Sequence, residues 1–508
     1  MNTKNIYKLI FGLAFALALN LIFATSTHAA TINVAAGNDE TTVNSNCSLS
    51  EAITNINNGD ATTYPECTGT GVFGVEDTVN LPSGTIVLVD DLPQMQQPII
   101  IQGQGMASSV LDGNEVYRVF SAEGSYVERI EITGLTIKDF SNHAIAINNA
   151  NVVLSRIGVT GNLGVANQPH VVLLQNGLAD QQLNATLTDI SVHDLNIDAS
   201  NIAHMIVIAN KASDVTYDVS MNNVTVANIQ NISGSINTVM LGSGMYGNAP
   251  DAVFNARVRN LTLDNIVAQG AVNGVILSAM ALDDGGDNNI ESYLDIANVT
   301  IRGIRIQPSV YGGGSIVSSV TAAMYSGSVT TASMEIANSL FVDNIYSAGP
   351  IGCGALDYGP LMGTPEGIAT PSITSSGGNL SDDNSCSADF TNLADQNNLV
   401  NLASTLGALS DNGGFVPTIP LLEGSPAIDA GVDVTGLTTD ARGVARPQGL
   451  AYDSGAYESP STRASANSSQ NNSTNQLAAT GQNTLLPILT AVSLLSISSL
   501  TALSFAKR

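Results

Sequence analysis

The sequence NVTVAN at residues 223–228 places a short apolar–Thr–apolar run between two asparagines. The run has the two-residue alternation of a β-strand, and asparagine is a residue that favours tight turns. The same pattern returns about every 33 to 40 residues between residues 130 and 345. Its copies are GLTIKD at 134–139, DISVHD at 189–194, NLTLDN at 260–265 and NVTIRG at 298–303, with looser copies at 157–161 and 340–344.

A repeat of this period indicates a stacked architecture. Helical repeats would need apolar residues at a spacing of 3.6, whereas these copies alternate every two residues and are punctuated by Gly, Asn and Ser. Further apolar runs lie between the copies, at 171–174, 205–208 and 238–241. We therefore predict an all-β fold over residues 85–350, a right-handed, single-stranded parallel β-helix in which each coil holds two or three strands.

Asparagines stand directly before three of the copies, at Asn223, Asn260 and Asn298. In a stacked fold they would lie above one another and form an internal amide ladder, each side chain bonding the next. The same positions also spell N-glycosylation sequons, such as Asn223-Val224-Thr225. The ladder is the favoured interpretation because such short motifs are weak evidence on their own.

The segments on either side of the repeat predict how the two ends of the β-helix are built. Strand candidates at 85–89, 98–102 and 116–120 would build the first coils. Before them, an N-terminal cap over residues 30–84 contains a short amphipathic helix from Ser50 to Ile56, capped by Ser48 or Ser50. Such a helix can cover the open apolar end of a solenoid. A C-terminal closing module is predicted over residues 351–458.

Composition restricts the function. The 508 residues carry 16 Lys+Arg against 43 Asp+Glu, a formal charge of −27. This excludes a nucleic-acid-binding protein that relies on a basic face. The hydrophobic content of 44% predicts a large folded core rather than a disordered acidic chain. With no Trp and 5% aromatic residues, aromatic sugar-binding platforms would depend on a few Tyr and Phe side chains.

Residues 1–29 read as a secretory signal peptide. Lys4 and Lys8 precede an apolar run over residues 9–23, which small residues ending at Ala29 and Ala30 follow as a cleavage site. A transmembrane anchor is the alternative, but the run is shorter than the roughly 20 residues that span a bilayer. We therefore expect a secreted, extracellular protein.

The other end of the chain has three parts. Residues 459–476 form a Ser/Asn/Thr-rich linker, residues 477–481 read LAATG, and an apolar stretch at 485–506 precedes Lys507-Arg508. This order resembles the sorting signal of sortase-anchored surface proteins, whose pentapeptide is usually LPxTG, so residues 477–508 are predicted to be that signal with its transmembrane helix. The resemblance implies cleavage after Thr480 and transfer to a cell-wall amine. The alternative is a plain C-terminal membrane tail. The pentapeptide residues are Leu477, Ala478, Ala479, Thr480 and Gly481.

Four cysteines in an exported chain favour disulfides over metal or redox chemistry. Three connectivities are possible, and the local pairs Cys47 with Cys67 and Cys353 with Cys386 close the shortest loops. We expect two disulfides, one at each end of the core.

Two further segments carry a resemblance. The sequence CSLSEAI at residues 47–53 resembles the CSLREA motif of exported bacterial β-helix proteins, with Ser50 in place of the motif's Arg. The second resemblance, to the choice-of-anchor module that ends many such proteins, is carried by residues 377–380, 412–414, 424–431, 440–443, 446–447 and 455–458. The resemblance implies an envelope-exposed β-helix, similar in style to adhesins.

A catalytic site is not predicted. The densest acidic group, Asp283, Asp284 and Asp287, lies in a Gly/Asn loop without an adjacent base, so it is read as a solvated loop, with a Ca²⁺ site as the weaker alternative and no other cofactor expected. The histidines lack a Ser or Cys nucleophile at a recognisable elbow. Asp440, with Arg442 and Arg446, is read as a structural charge cluster of the closing module.

These observations predict a monomeric, cell-surface-anchored β-helix that binds a surface ligand, either a glycan or a protein, without a chemical step. Its partners would be a sortase, the cell-wall amine and, before processing, the membrane; nucleic acid is not one of them. The alternative is a carbohydrate-active β-helix enzyme, a polysaccharide lyase or glycoside hydrolase. A passive spacer is a third possibility.

Overall fold

The computed structural model describes residues 28–164, 168–179, 181–244, 251–282, 288–306, 315–345, 352–357, 360 and 367–460. Within these ranges the chain is all-β and its strands pair in parallel, one coil upon the next. The predicted fold class, a parallel β-helix, is confirmed. The strands form one sheet of 17 and a second of eight.

The elements follow one another in the order of the coils. One helix, α1 (Leu49–Asn58), and a short 3₁₀ helix (Ala403–Thr405) accompany the strands. The strands are β1 (Thr31–Asn33), β2 (Gly37–Asp39), β3 (Asp77–Asn80), β4 (Gly84–Leu88), β5 (Ile99–Gln102), β6 (Ser109–Asp112), β7 (Phe120–Ala122), β8 (Val127–Ser141), β9 (Ile145–Asn148), β10 (Ala150–Gly164), β11 (His170–Asn176), β12 (Leu183–Ile197), β13 (Ile202–Asn210), β14 (Thr216–Asn231), β15 (Ser235–Ser243), β16 (Val253–Ala268), β17 (Val272–Ala281), β18 (Asn289–Ala297), β19 (Thr300–Ile306), β20 (Val317–Ala323), β21 (Val329–Ala337), β22 (Leu340–Val342), β23 (Cys353–Asp357), β24 (Ile368–Gly377) and β25 (Leu380–Ser381).

The repeated apolar–Thr–apolar run, which we call the phrase, is the short middle segment of each long strand. It lies between two residues at which the chain turns, which we call corners. In β14 the corners are Asn223, with φ 55°, and Asn228, with φ 54°. Asn, Asp and Gly tolerate this left-handed conformation better than other residues, which explains why they bracket the phrase. The corner pairs are Gly134 and Asp139, Arg156 and Gly161, Asp189 and Asp194, Asn223 and Asn228, Asn260 and Asn265, Asn298 and Gly303, and Asn338 and Asp343.

Stacking in register brings like residues together. Ile190, Val224 and Leu261 are consecutive Cα partners across β12, β14 and β16, and all three are fully buried. The second sheet contributes equivalent stacks from the other side, for example Ile206 on Val239. One continuous apolar core therefore runs through the coils, and each coil covers the apolar edge of the one before it.

The strand ladder runs past the predicted limits of residues 85–350 at both ends. At the start, β1 pairs with β3 and β2 with β4, so the first coil lies within the predicted cap. At the other end, β24 pairs with β21 and β25 with β22, inside the predicted closing module. The strand predicted at 116–120 begins only at Phe120, because Asn114 and Glu115 adopt a turn with positive φ.

Helix α1 forms where the amphipathic helix was predicted, over Ser50 to Ile56, and extends slightly beyond both ends of that segment. Its first turn is closed by a capping box in which Glu51 N donates to Ser48 Oγ at 3.2 Å and Ser48 N donates to the Glu51 carboxylate at 2.9 Å. Leu49, Ile53 and Ile56 join the core of the coils, and the helix packs against β3. Ser50, which stands where the resembled motif has Arg, donates its hydroxyl to Asp39 at 2.6 Å.

Both local cysteine pairs are disulfides in the structure. Cys47 bonds Cys67 beside α1, and Cys353 in β23 bonds Cys386, five residues after the end of β25. The two bonds close 20- and 33-residue separations. Each disulfide therefore links the chain at one end of the coil stack in the folded state, and it limits the conformations of the same stretch in the unfolded state.

Residues 382–459, which we call the lateral segment, first cover the last coil: Gln396 pairs in parallel with Leu380, and Phe390 joins the core of the coils. The rest of the segment folds back along the side of the β-helix, over the face formed by the phrase strands of earlier coils. Leu402, Leu406 and Ile419 of the lateral segment pack with Leu340 and Leu380 in one apolar cluster. The segment therefore covers both the last coil and one side of the β-helix.

In the part of the chain that the structure describes, no helix is long and apolar enough to cross a membrane. The predicted signal peptide at 1–29 lies almost wholly outside this part, and the stretch at 485–506 lies entirely outside it.

Candidate functional site

Several sequence-predicted sites lie outside the described residues. These are the acidic group Asp283, Asp284 and Asp287 and the pentapeptide at residues 477–481. Among the described residues, no group of three or more His, Cys, Asp and Glu side chains could hold a metal ion.

The phrase threonines lie beneath the lateral segment. Thr225, Thr262 and Thr300 are at most 2% exposed. Thr225 Oγ1 donates to the Pro417 carbonyl at 2.8 Å, and Ala456 N donates to Thr300 Oγ1 at 3.0 Å. The phrase face is therefore an internal docking surface and is not available to an external ligand in this structure.

Of the two predicted ladder links, only the one between Asn223 and Asn260 forms, and Asn338 adds a link to Asn298 that was not predicted. Asn260 Nδ2 donates to Asn223 Oδ1 at 3.1 Å, and Asn338 Nδ2 donates to Asn298 Oδ1 at 3.3 Å. The link from Asn260 to Asn298 is absent because Asn298 Nδ2 donates instead to the carbonyls of Asp453 and Gly455, at 3.2 and 3.1 Å. The ladder faces the lateral segment rather than the core.

The hydrogen bonds of Asn223 and Asn298 also affect how the N-glycosylation sequons at these positions are interpreted. The Asn223 amide donates to Asp189 Oδ1 at 2.9 Å, and Asn298 is fully buried with its amide nitrogen bonded twice. A glycan on either nitrogen would have to displace these bonds. The ladder interpretation of the sequons is therefore the one that this geometry favours.

The exposed polar groups gather on another face, which we call the lateral groove. It is a cavity of about 330 Å³ on the outer side of β12, β14, β16 and β18. Two columns of side chains, stacked in register, line it. The first column is Asn184, Asp218, Asn255 and Tyr293, and the second is Thr186, Ser220, Arg257 and Asp295.

Each column is braced by its own hydrogen bonds. In the first, Asn255 Nδ2 donates to Asp218 Oδ1 at 3.0 Å, and Gln182 donates to the other oxygen of the same carboxylate at 3.1 Å. At the far end, the Tyr293 hydroxyl donates to Glu335 at 3.0 Å. Burial and this bond to a carboxylate raise the pKa of Tyr293 to about 12, so the phenol stays protonated at pH 7.

The charges of the groove are largely paired. Asp295 accepts from Arg259 at 2.5 Å and, more weakly, from Arg257 at 3.4 Å. The Arg259 side chain is 9% exposed, whereas that of Arg257 is 68% exposed. The groove thus presents one open guanidinium, two braced carboxylates and several short hydroxyl and amide side chains around an exposed tyrosine ring.

Two histidines of the second sheet pack against each other. His170 and His204 stack in parallel with ring centroids 4.5 Å apart. Burial lowers the pKa of His170 to about 4 and that of His204 to about 3, and in both cases it is the largest cause. Both rings are therefore neutral at pH 7. Burial likewise lowers the pKa of His143 to about 4.

The predicted structural charge cluster is present and larger than expected. Arg446 Nη1 donates to Glu458 at 2.8 Å, and both side chains are completely buried. Arg442 pairs with Asp440 on the other side. Asp453 completes the group, which we call the buried ion cluster: Asp440, Arg442, Arg446, Asp453 and Glu458.

The lateral groove was not predicted from the sequence, although the sequence carries a signal for it. Asn184, Asp218, Asn255 and Tyr293 each stand five positions before the first corner of their own copy. This constant spacing places the four side chains in one column.

Comparison with known proteins adds no identity. No family model, no curated protein and no solved structure matches this chain.

Proposed function

We propose that this protein is an exported, surface-attached recognition protein whose lateral groove binds a neutral, hydroxyl-rich polymer, a glycan, without a chemical step. The observation that carries the proposal is the in-register pair of columns beside Tyr293. Export and attachment are supported by the signal-like start and the LAATG tail.

The chemistry of the groove favours a polyol. Amide, hydroxyl and carboxylate groups supply both donors and acceptors, which the hydroxyls of a sugar can satisfy in either sense. Columns repeat at the strand spacing of roughly 4.8 Å, so a polymer lying along them meets a similar set of groups at every coil. Tyr293, 41% exposed, offers an apolar ring face of the kind on which a sugar ring packs.

Charge argues against a polyanionic ligand. The chain carries a formal charge of −27, and the groove itself contains Asp218 and Asp295. A polyanion would be repelled by this field, whereas a neutral polymer pays no such cost. We therefore expect neutral glycans to bind in preference to acidic ones.

The test is equilibrium binding of the purified chain to soluble neutral and acidic glycans. Tyr293→Ala should weaken binding to a neutral glycan about tenfold, the loss expected for ~1.4 kcal/mol of ring contact. Tyr126→Ala is the matched control because this ring is 40% exposed but lies outside the groove. Equal affinity of the two variants for every neutral glycan would contradict the proposal.

A second function, a carbohydrate-active enzyme, is favoured by one feature, the presence of Asp218 and Asp295 in the same groove. Glycoside hydrolysis uses a pair of carboxylates flanking the scissile bond. The same incubations distinguish the two functions. Release of reducing ends or unsaturated products that is lost in Asp218→Asn would support the enzyme and overturn the binding protein.

A further inference from the structure

The last residues of the lateral segment are its most firmly held part. Asp453, Ser454, Ala456 and Glu458 are at most 1% exposed. They contact coils that precede them by more than 70 residues: Ser454 Oγ donates to the Gly378 carbonyl at 2.7 Å, and Gly455 N donates to the Asn338 carbonyl at 2.7 Å. The chain therefore leaves the fold beside the last coils of the β-helix, next to Asn338 and Gly378.

Contacts to the coils continue along the lateral segment. Val432 and Asn338 exchange two hydrogen bonds, at 2.7 and 2.8 Å. Arg302, which is paired with Asp264, also donates to the Gly407 carbonyl at 2.6 Å. Because these bonds join backbone and side-chain groups 94 and 105 positions apart, they tie the segment to the two coils that precede the last one.

The buried ion cluster stabilises the place near Ser459 at which the chain leaves the fold. Arg446 donates to the carbonyls of Asp453 and Gly455, at 3.0 and 2.8 Å, as well as to Glu458. Ser459 N donates to the Asp453 carboxylate at 2.6 Å. Removing one partner of a buried pair leaves an uncompensated charge, so such a cluster resists being opened one bond at a time.

We propose that the lateral segment transmits mechanical tension from the C-terminal part of the chain to the β-helix. Tension on the chain beyond Pro460 enters the β-helix directly at Asn298, Thr300 and Asn338, and the buried ion cluster prevents the segment from being peeled away. The inference rests on the proposed surface attachment, which is what would apply such a load. At the other end of the segment, the Cys353–Cys386 disulfide fixes it to β23.

The experiment is single-molecule pulling on the full chain. One handle is a tag at the C-terminus, and the other is a tag inserted in the exposed turn at Ser125. With the Cys353–Cys386 disulfide intact, release of residues 387–459 would lengthen the molecule by at most about 250 Å, which is the extended length of that stretch. In the wild type we expect this lengthening only at forces that also disrupt coils.

Two disruptive variants and two control variants keep the result interpretable. In Gly455→Ala the new Cβ would lie 2.7 Å from both Leu340 and Thr300, which blocks docking, whereas Gly436→Ala has a similar positive φ and no atom within 4 Å. Gly455→Ala, and independently Arg446→Met, should release the segment about tenfold faster or more at the same load. Gly436→Ala and the exposed-pair variant Arg305→Met should behave as the wild type.

A wild type that lengthens by this amount at the same low force as Gly455→Ala would overturn the inference. Because the load is applied to the purified chain through a tag, this result does not depend on the ligand or on attachment to a cell. Glycan binding measured on the same variants shows separately whether the lateral groove, and with it the proposed function, is intact.

Discussion

His170 and His204 stack in the outer row of the second sheet, and the next two coils continue that row with Asn237 and Asn273. His204 Nδ1 lies 3.4 Å from the Asn237 amide nitrogen, and Asn273 donates to Asn237 at 2.8 Å. An asparagine at position 204 would therefore extend an existing amide row. This makes His204→Asn a conservative probe of the buried imidazoles.

The pH dependence of stability follows from two kinds of group whose pKa is shifted in the folded state, a buried histidine and a buried aspartate. The folded pKa of His204, about 3, lies below the unfolded value of 6.5, so only the unfolded chain gains a proton as pH falls below about 6.5. Burial raises the folded pKa of Asp453 to about 6, above 3.8, so protonation there stabilises the fold over pH 6 to 4. The two contributions oppose each other in this window.

We predict that His204→Asn retains more of its stability between pH 7 and pH 5 than the wild type, and that Asp453→Asn loses more. The measurement is the free energy of unfolding from urea titrations at both pH values. Asp453→Asn removes the group whose protonation stabilises the fold in acid, so it is the control of opposite sign. An unchanged difference between pH 7 and pH 5 in both variants would contradict this assignment.

At the scale of elements, the corners decide how the strands of one coil are joined. Asn265 adopts φ 53° on an exposed corner, and its amide donates to Asn228 at 3.0 Å. Two properties of the side chain are used here, tolerance of the left-handed conformation and the ladder bond. Substitution can separate them, because glycine keeps the first and alanine keeps neither.

We predict that Asn265→Ala destabilises the protein by about 2 kcal/mol, from ~1 kcal/mol of left-handed strain and ~1 kcal/mol of lost hydrogen bond. Asn265→Gly should lose roughly half of that, because only the bond is removed. Urea unfolding of the two variants measures the difference. Equal losses would show that the corner does not depend on backbone conformation.

The elements also show how far sequence alone reaches. The apolar–Thr–apolar phrases and their bracketing Asn, Asp and Gly residues predicted the short strands because both signals are local. The partner of Thr225 is Pro417, 192 positions away, and no local pattern indicates such a pairing. The placement of part of the lateral segment along the side of the solenoid was therefore not predicted. The groove was missed because its first column, Asn184, Asp218, Asn255 and Tyr293, does not keep one residue type from copy to copy.

At the scale of the whole molecule, two sides of the coils differ in exposure. The phrase face is covered by the lateral segment, and the face carrying Asn184, Asp218 and Tyr293 stays open. Under the proposed function, attachment and recognition would lie on separate faces of one core. Adhesion of whole cells would then require both faces.

The most direct test is adhesion of cells that carry the full chain to a surface coated with the neutral glycan that binds best in solution. We predict that the wild type and Tyr126→Ala adhere, and that Tyr293→Ala and Thr480→Ala do not, the latter through loss of the wall-bound fraction. Adhesion of Tyr293→Ala at the wild-type level, with equal amounts of protein on the cell, would contradict the account.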